Sequence, residues 1–252
     1  MSCKGIALVT GAAQGIGRAI ALRLADNGFD VAVNDIAVSA ELQSLVEEIQ
    51  QRGRASSIHA ADVSQDAQVR EMIEAVVQNH GGLDVMVANA GVVGPSGMVI
   101  ADVTVEEWDR VMNINARGTF LSYKYAGLQM VKQGRGGRII GASSLTGKQG
   151  HNAQVTYSAS KFAVRGLTQA AAIEFGSHGI TVNAYAPGVI ETPMFFGLLP
   201  GPEMRDGLKA QIPLKTFGVP TDIADFVSFI ASKESKFITG QTISINGGLF
   251  FD

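Results

Sequence analysis

The stretch IALVTGAAQGIGRAIALRLADNG (residues 6–28) runs from a short apolar segment through glycines at 11, 15 and 17 into residues with helical spacing, and stops at Asn27-Gly28. A buried strand followed by a helix explains both halves. Glycines at such a turn let the backbone bend tightly and approach a phosphate. The helix start adds free N–H groups and the positive end of a dipole. The spacing is G-x-x-x-G-x-G, not G-x-G-x-x-G. No Lys-Ser/Thr pair follows, which disfavours a nucleoside triphosphatase. A glycine-rich turn can also be purely structural, so the rest of the chain has to decide.

Short β-branched runs recur at 6–10, 30–35, 56–63, 83–89, 137–144, 180–186 and 241–246, with longer amphipathic stretches between them. Strand and helix in regular alternation build βαβ units. The reading is a single-domain Rossmann fold over residues 1–252: a doubly wound, seven-stranded parallel sheet with helices on both faces. The first, fourth and fifth strands are nearly apolar throughout, as strands covered on both faces should be. One long region, 188–220, reads as irregular and rich in Pro, Gly, Met and Phe. A loop of that length in a compact domain points to a substrate-binding role.

Composition removes several function classes. The chain is 46% hydrophobic and 17% charged, and has no run of eighteen apolar residues, which excludes a membrane-spanning helix. The opening MSCKGIALVT is too short for a signal peptide. One cysteine, Cys3, permits no internal disulfide and points to a reducing, cytoplasmic setting. A net charge of −3 without basic blocks argues against a nucleic-acid partner. His59, His80, His151 and His178 show no metal-ligand spacing, so no metal is expected.

The second strand ends at Asp35. A carboxylate there can accept hydrogen bonds from ribose hydroxyls and would repel a 2′-phosphate. Ile36 and Ala37 follow, Gln14 in the glycine turn is neutral, and Arg18 sits a turn into the helix, facing away. Unless Asp35 merely caps a helix, it favours NAD(H) over NADP(H). Further on, VTYSASKFAVRGLTQAAA (155–172) puts Tyr157 and Lys161 on one helical face, four residues apart. Alone, this pair could be a tyrosine lying on a lysine stem.

Taken in order, TGAAQGIG, Asp62-Val63, Asn89-Ala90-Gly91, Asn115 in NINARGTF, Ser144 in GASS, the Tyr157/Lys161 pair and PGVIETPM from Pro187 resemble the short-chain dehydrogenases/reductases, from about Lys4 to Gly248. The resemblance implies an oxidoreductase that interconverts a secondary alcohol and a ketone. Gly11, Gln14, Gly15, Ile16 and Gly17 would cradle the cofactor phosphates. Asp62 and Val63 would hold the adenine, and Asn89, Ala90 and Gly91 would flank the cofactor. Pro187, Gly188, Ile190 and Thr192 would meet the nicotinamide end. Tyr157 would exchange the proton, with its pKa lowered by Lys161 and by oxidised nicotinamide. Ser144, ending the fifth strand, would polarise the same oxygen. Lys161 would also bond the nicotinamide ribose, and Asn115 would hold a water linking Lys161 to solvent. Ala88, Gly141 and Asn246 depart from the family's usual residues, all away from this chemistry.

The closest look is to acetoin/diacetyl reductases and 2,3-butanediol dehydrogenases, with sugar-alcohol and other secondary-alcohol dehydrogenases close behind. A 3-oxoacyl-carrier-protein reductase is disfavoured by Asp35. A catalytically silent nucleotide-sensing protein is disfavoured because Ser144, Tyr157, Lys161 and Asn115 are all retained. The substrate would be a small neutral carbonyl or alcohol. It would lie under a lid of Met194, Phe195, Phe196, Leu198 and Leu199, facing Leu145, Gln149, His151 and Gly94-Pro95. Those lid residues could equally be ordinary packing or interface. The family's tetramers imply a homotetramer built on one helix containing Trp108 to Met130 and on the Tyr157 helix. The apolar ending LFFD (249–252) would then dock on a neighbouring subunit, or else fold back on its own domain.

Overall fold

In the computed structural model, which describes residues 3–94, 97–198 and 201–252, seven strands form one parallel sheet. They are β1 (Ile6–Val9), β2 (Asp30–Asp35), β3 (Ser56–Ala60), β4 (Val85–Ala88), β5 (Gly137–Ala142), β6 (Ile180–Pro187) and β7 (Thr242–Ile245). The helices before the midpoint are α1 (Gly15–Asp26), α2 (Ala40–Gln51), α3 (Asp66–His80) and α4 (Val105–Met112). After them come α5 (Gly118–Gln133), α6 (Val155–Phe175), α7 (Pro193–Leu198), α8 (Pro202–Gln211) and α9 (Pro220–Ala231).

Strand order is β3-β2-β1-β4-β5-β6-β7. The chain therefore reverses its direction of travel between β1 and β4, where ligands of open α/β sheets bind. Side-chain alternation divides the apolar residues into two cores. Ala7, Val9, Val31 and Val33 pack beneath α1, α2 and α9 with Ile20, Leu24, Leu45, Ile223 and Val227. Leu8, Met86, Ile139 and Val182 face the other way, against Val69, Ile73, Leu121, Met130 and Phe175 of α3, α5 and α6. Each of the larger side chains among them contributes about 1.5–3 kcal/mol when taken out of water.

Three expectations need correction. Residues 188–220 are not one irregular loop, because α7 and α8 occupy it. Each starts at a proline, whose missing N–H costs nothing in a first turn. The run from Trp108 to Met130 is not a single helix either: a π-helical turn, Asn113–Arg117, separates α4 from α5. Finally, Ser144 does not end β5. It lies two residues beyond the strand, and its hydroxyl accepts the Thr146 N–H at 3.2 Å to cap a 3-10 turn, Leu145–Gly147.

The ending lies on its own domain. Leu249 packs on Phe195, Ile212 and Phe217, Phe250 lines a cleft, and Phe251 remains 81% exposed. Among the described residues no helix is long and apolar enough to cross a membrane.

Candidate active site

A cleft of about 1270 Å³ opens at the carboxyl ends of the central strands. Its floor is the glycine turn. Gly11 and Gly15 adopt left-handed conformations, φ +61° and +57°, which side chains other than glycine rarely tolerate. A Cβ on Gly17 would overlap the Gly11 carbonyl oxygen and crowd the Asn89 amide. This glycine therefore lets α1 start against β1.

Asn89 ties the turn to β4. Its Nδ2 donates to the carbonyls of Thr10 at 2.8 Å and Gly11 at 3.0 Å, and its Oδ1 accepts the Tyr185 hydroxyl at 2.7 Å. Asp35 ties the turn to β2: its two oxygens accept the Ala13 N–H at 3.1 Å and the Ile36 N–H at 2.9 Å. Each oxygen accepts one of these bonds and keeps further acceptor capacity, and the residue lines the cleft. It caps no helix side. Arg18 is turned away onto Glu48 of α2. Asp62 accepts the Ser64 N–H at 2.9 Å, and Val63 packs where Gly118 leaves room for it.

Gly11, Gln14, Gly15, Ile16, Gly17, Asp35, Asp62, Val63, Asn89, Ala90, Gly91, Pro187, Gly188, Ile190 and Thr192 all line this cleft. Farther along it come Ser144, Leu145, Gln149, His151, Tyr157, Lys161, Met194, Phe195 and Leu198. Gly94 faces Glu107 and Val111 of α4 rather than the cleft, and Phe196 lies under the Arg205 guanidinium, 4.9 Å from its ring centre. Pro95 and Leu199 lie outside the described residues.

Lys161 is buried, and its Nζ donates to the Ala142 carbonyl at 2.8 Å and sits 5.4 Å from the Tyr157 ring centre. Burial pulls its pKa down to about 8. Tyr157 shifts the other way from expectation. Burial raises the phenol above its ordinary value, and the adjacent Ser144 hydroxyl only partly offsets this. Lys161 alone does not lower it.

Asn115 is fully buried behind the cleft and does not line it. Its Oδ1 accepts the Val92 N–H at 2.8 Å, and its Nδ2 donates to the Val92 carbonyl at 2.8 Å and to Ser160 Oγ at 3.0 Å. The side chain thus fastens the segment after Gly91 to α6. Sequence reading missed Tyr185 and Ser143. The Ser143 hydroxyl donates to the Lys161 carbonyl at 3.0 Å, and no spacing rule flags either residue.

The burial of Lys161 has a measurable consequence. Between about pH 8 and its ordinary 10.5, the unfolded chain holds this proton and the folded chain does not. Stability therefore rises with pH across that window, and the cost of burying the ammonium is felt in full below it. A shift of that size corresponds to about 3 kcal/mol. In urea unfolding of the cofactor-free protein, stability should gain more across this window than in Lys161→Met, while the raised phenols of Tyr123, Tyr157 and Tyr185 oppose the rise near pH 10 in both proteins. Equal slopes for the two proteins would refute it.

The family model described as enoyl-(acyl carrier protein) reductase matches residues 11–250. A short-chain dehydrogenase/reductase of Armillaria gallica is 53% identical, covering 98% of this chain and 96% of its own. The 3-oxoacyl-[acyl-carrier-protein] reductase FabG of Staphylococcus epidermidis is 44% identical, covering 97% and 98%. Among solved structures, the acetoin dehydrogenase YohF of Salmonella typhimurium superposes with a TM-score of 0.88 at 33% identity, covering 99% of this chain and 97% of that one. By these matches the chain belongs to the short-chain dehydrogenase/reductase family of oxidoreductases.

Proposed function

We propose that the protein is an NAD(H)-preferring alcohol dehydrogenase or carbonyl reductase, interconverting a secondary alcohol and a ketone on a small neutral substrate. The observation that carries this reading is the placement of Ser144, Tyr157 and Lys161 in the cleft that the glycine turn and Asp35 also line. The glycine turn keeps its backbone bare at the cleft through left-handed Gly11 and Gly15, and Asp35 offers acceptors to ribose hydroxyls, so the residues present fit a dinucleotide. A nicotinamide held there would supply or accept the hydride.

In reduction, Tyr157 gives its hydroxyl proton to the carbonyl oxygen, while Ser144 donates a hydrogen bond to the same oxygen. In oxidation, Tyr157 as phenolate takes the alcohol proton. Burial favours the neutral phenol, and the positive charge of an oxidised nicotinamide held beside Lys161 would favour the phenolate. Asn115 acts as a positioning residue for Gly91 and α6, because its side-chain amide is already committed to Val92 and Ser160.

Arg110, on the cleft rim, is held by Glu107 at 2.7 and 3.0 Å, which supports a substrate without strong negative charge. The exposed Trp108, Phe120, Leu128, Phe162 and Ile173 on α4, α5 and α6 support a homotetramer built on those helices, which sedimentation velocity reads directly.

Titration with both cofactors tests the nucleotide preference. The protein should bind NADH more tightly than NADPH. Asp35→Ala should weaken NADH by about tenfold or more, since a hydrogen bond to a charged acceptor contributes about 1.5–3 kcal/mol. It should also relieve repulsion of NADPH. Tighter binding of NADPH by the unmodified protein would overturn the preference. The likeness to FabG supports a second reading, a 3-oxoacyl thioester substrate. A panel of ketones, diketones, polyols and an acetoacetyl thioester separates the two.

A further inference from the structure

Residues 246–252 read NGGLFFD. Gly247 and Gly248 both have left-handed backbones, φ +63° and +88°, and a Cβ on them would sit 2.8 Å from Ile212 and 2.9 Å from Pro213. Only this glycine pair lets the chain turn back so closely beneath the segment after α8. The turn delivers Leu249 into the apolar cluster under the lid, with Phe195, Ile212 and Phe217, and brings Phe250 to the cleft wall.

Two devices hold the turned segment. Asn246 Oδ1 accepts the Gly248 N–H at 2.9 Å, while its Nδ2 donates to the Phe250 carbonyl at 2.9 Å. Only an amide offers both; a carboxylate has no donor. At the far end, the Asp252 carboxylate accepts from Lys148 Nζ, and from Ser244 Oγ at 3.0 Å. The Lys148 side chain is only 3% exposed and lies next to Gln149, which lines the opposite wall. A nearly buried ammonium left unpaired is strongly unfavourable, so this contact fastens one wall of the cleft to the other.

We propose that residues 246–252 form a strap closing the substrate end of this chain's own cleft. Leu249 and Phe250 gauge the bulk of the substrate's unreacting end, while Asn246 and the Lys148–Asp252 pair hold them in place. The proposal rests on the ketone reading above only for the identity of what is gauged. Its physical content is that the segment is latched in cis.

The experiment has two arms. In the first, amide hydrogen exchange of residues 246–252 is followed without substrate. Asn246→Asp should speed exchange of the Gly248–Phe250 region about tenfold, the loss of one hydrogen bond. In the second, reduction of methyl ketones from 2-butanone to 2-decanone is measured with NADH. Phe250→Ala should raise the kcat/KM ratio of long to short ketones by at least about tenfold, given what a single methylene is worth in an apolar pocket. Asn246→Asp and Asp252→Asn retain every apolar side chain of the wall. They should move the ratio the same way, through KM more than kcat.

A ratio within about twofold of the unmodified protein for Phe250→Ala, or exchange unaffected by Asn246→Asp, overturns the strap. Exchange protection that depends on protein concentration also overturns it, by showing that the segment docks on a neighbouring copy. Should the unmodified protein reduce none of these ketones, the ketone reading falls, and the exchange arm alone decides the strap.

Discussion

Tyr157→Phe should lower kcat by about 10²–10⁴, the usual contribution of a positioned proton donor, and leave cofactor affinity nearly as it was. The half-buried ring keeps its place on α6 beside Lys161, and only the hydroxyl beside Ser144 is lost. Steady-state turnover paired with a fluorescence titration of NADH checks both halves. Near-normal turnover in a folded Phe variant would remove Tyr157 from the chemistry. A loss confined to cofactor binding would assign it a purely structural place.

Gly17→Ala should produce a large loss of cofactor affinity. Alanine favours a helix over glycine by about 1 kcal/mol, so α1 itself gains. The new Cβ, however, overlaps the Gly11 carbonyl and pushes on the Asn89 amide. Relief requires the turn to move, which gives up the Asn89 bonds to Thr10 and Gly11. Two hydrogen bonds of about 1 kcal/mol each, together with overpacking of about 1–3 kcal/mol, outweigh the gain. The NADH dissociation constant should rise by about 10- to 100-fold, with a smaller drop in melting temperature. An unchanged constant would mean that the turn does not carry the phosphates.

Much of this architecture was legible beforehand because it depends on local pattern. The apolar runs ending at Val9, Asp35 and Ala88 are strands wherever they are placed, and Gly11, Gly15 and Gly17 announce a turn by type alone. What escaped depends on contacts between distant residues. Nothing near Asn115 reveals that its amide spends itself on Val92 and Ser160, or that the helix around it widens into a π turn. The upward shift of Tyr157 follows from burial, which spacing does not report. The 188–220 region looked irregular because its helices are short and open on prolines, and the periodic signal needs more turns to emerge. The departure at Asn246 seemed peripheral, yet its extra donor holds the Phe250 carbonyl.

The strand order has a consequence for how the protein comes into being. Because β1 lies between β2 and β4, and the cleft also takes residues from beyond β6, its two sides come from segments as far apart in sequence as Gly11 and Thr192. During synthesis, the first half of the chain can pair β1 with β2, and β2 with β3, while the nucleotide pocket still lacks its far wall. Loop closure over such separations is paid for late, in the final docking of the second half. A bound dinucleotide therefore finds nothing to grip on a nascent or partly folded chain. It should slow unfolding of the finished domain and leave the folding rate almost untouched.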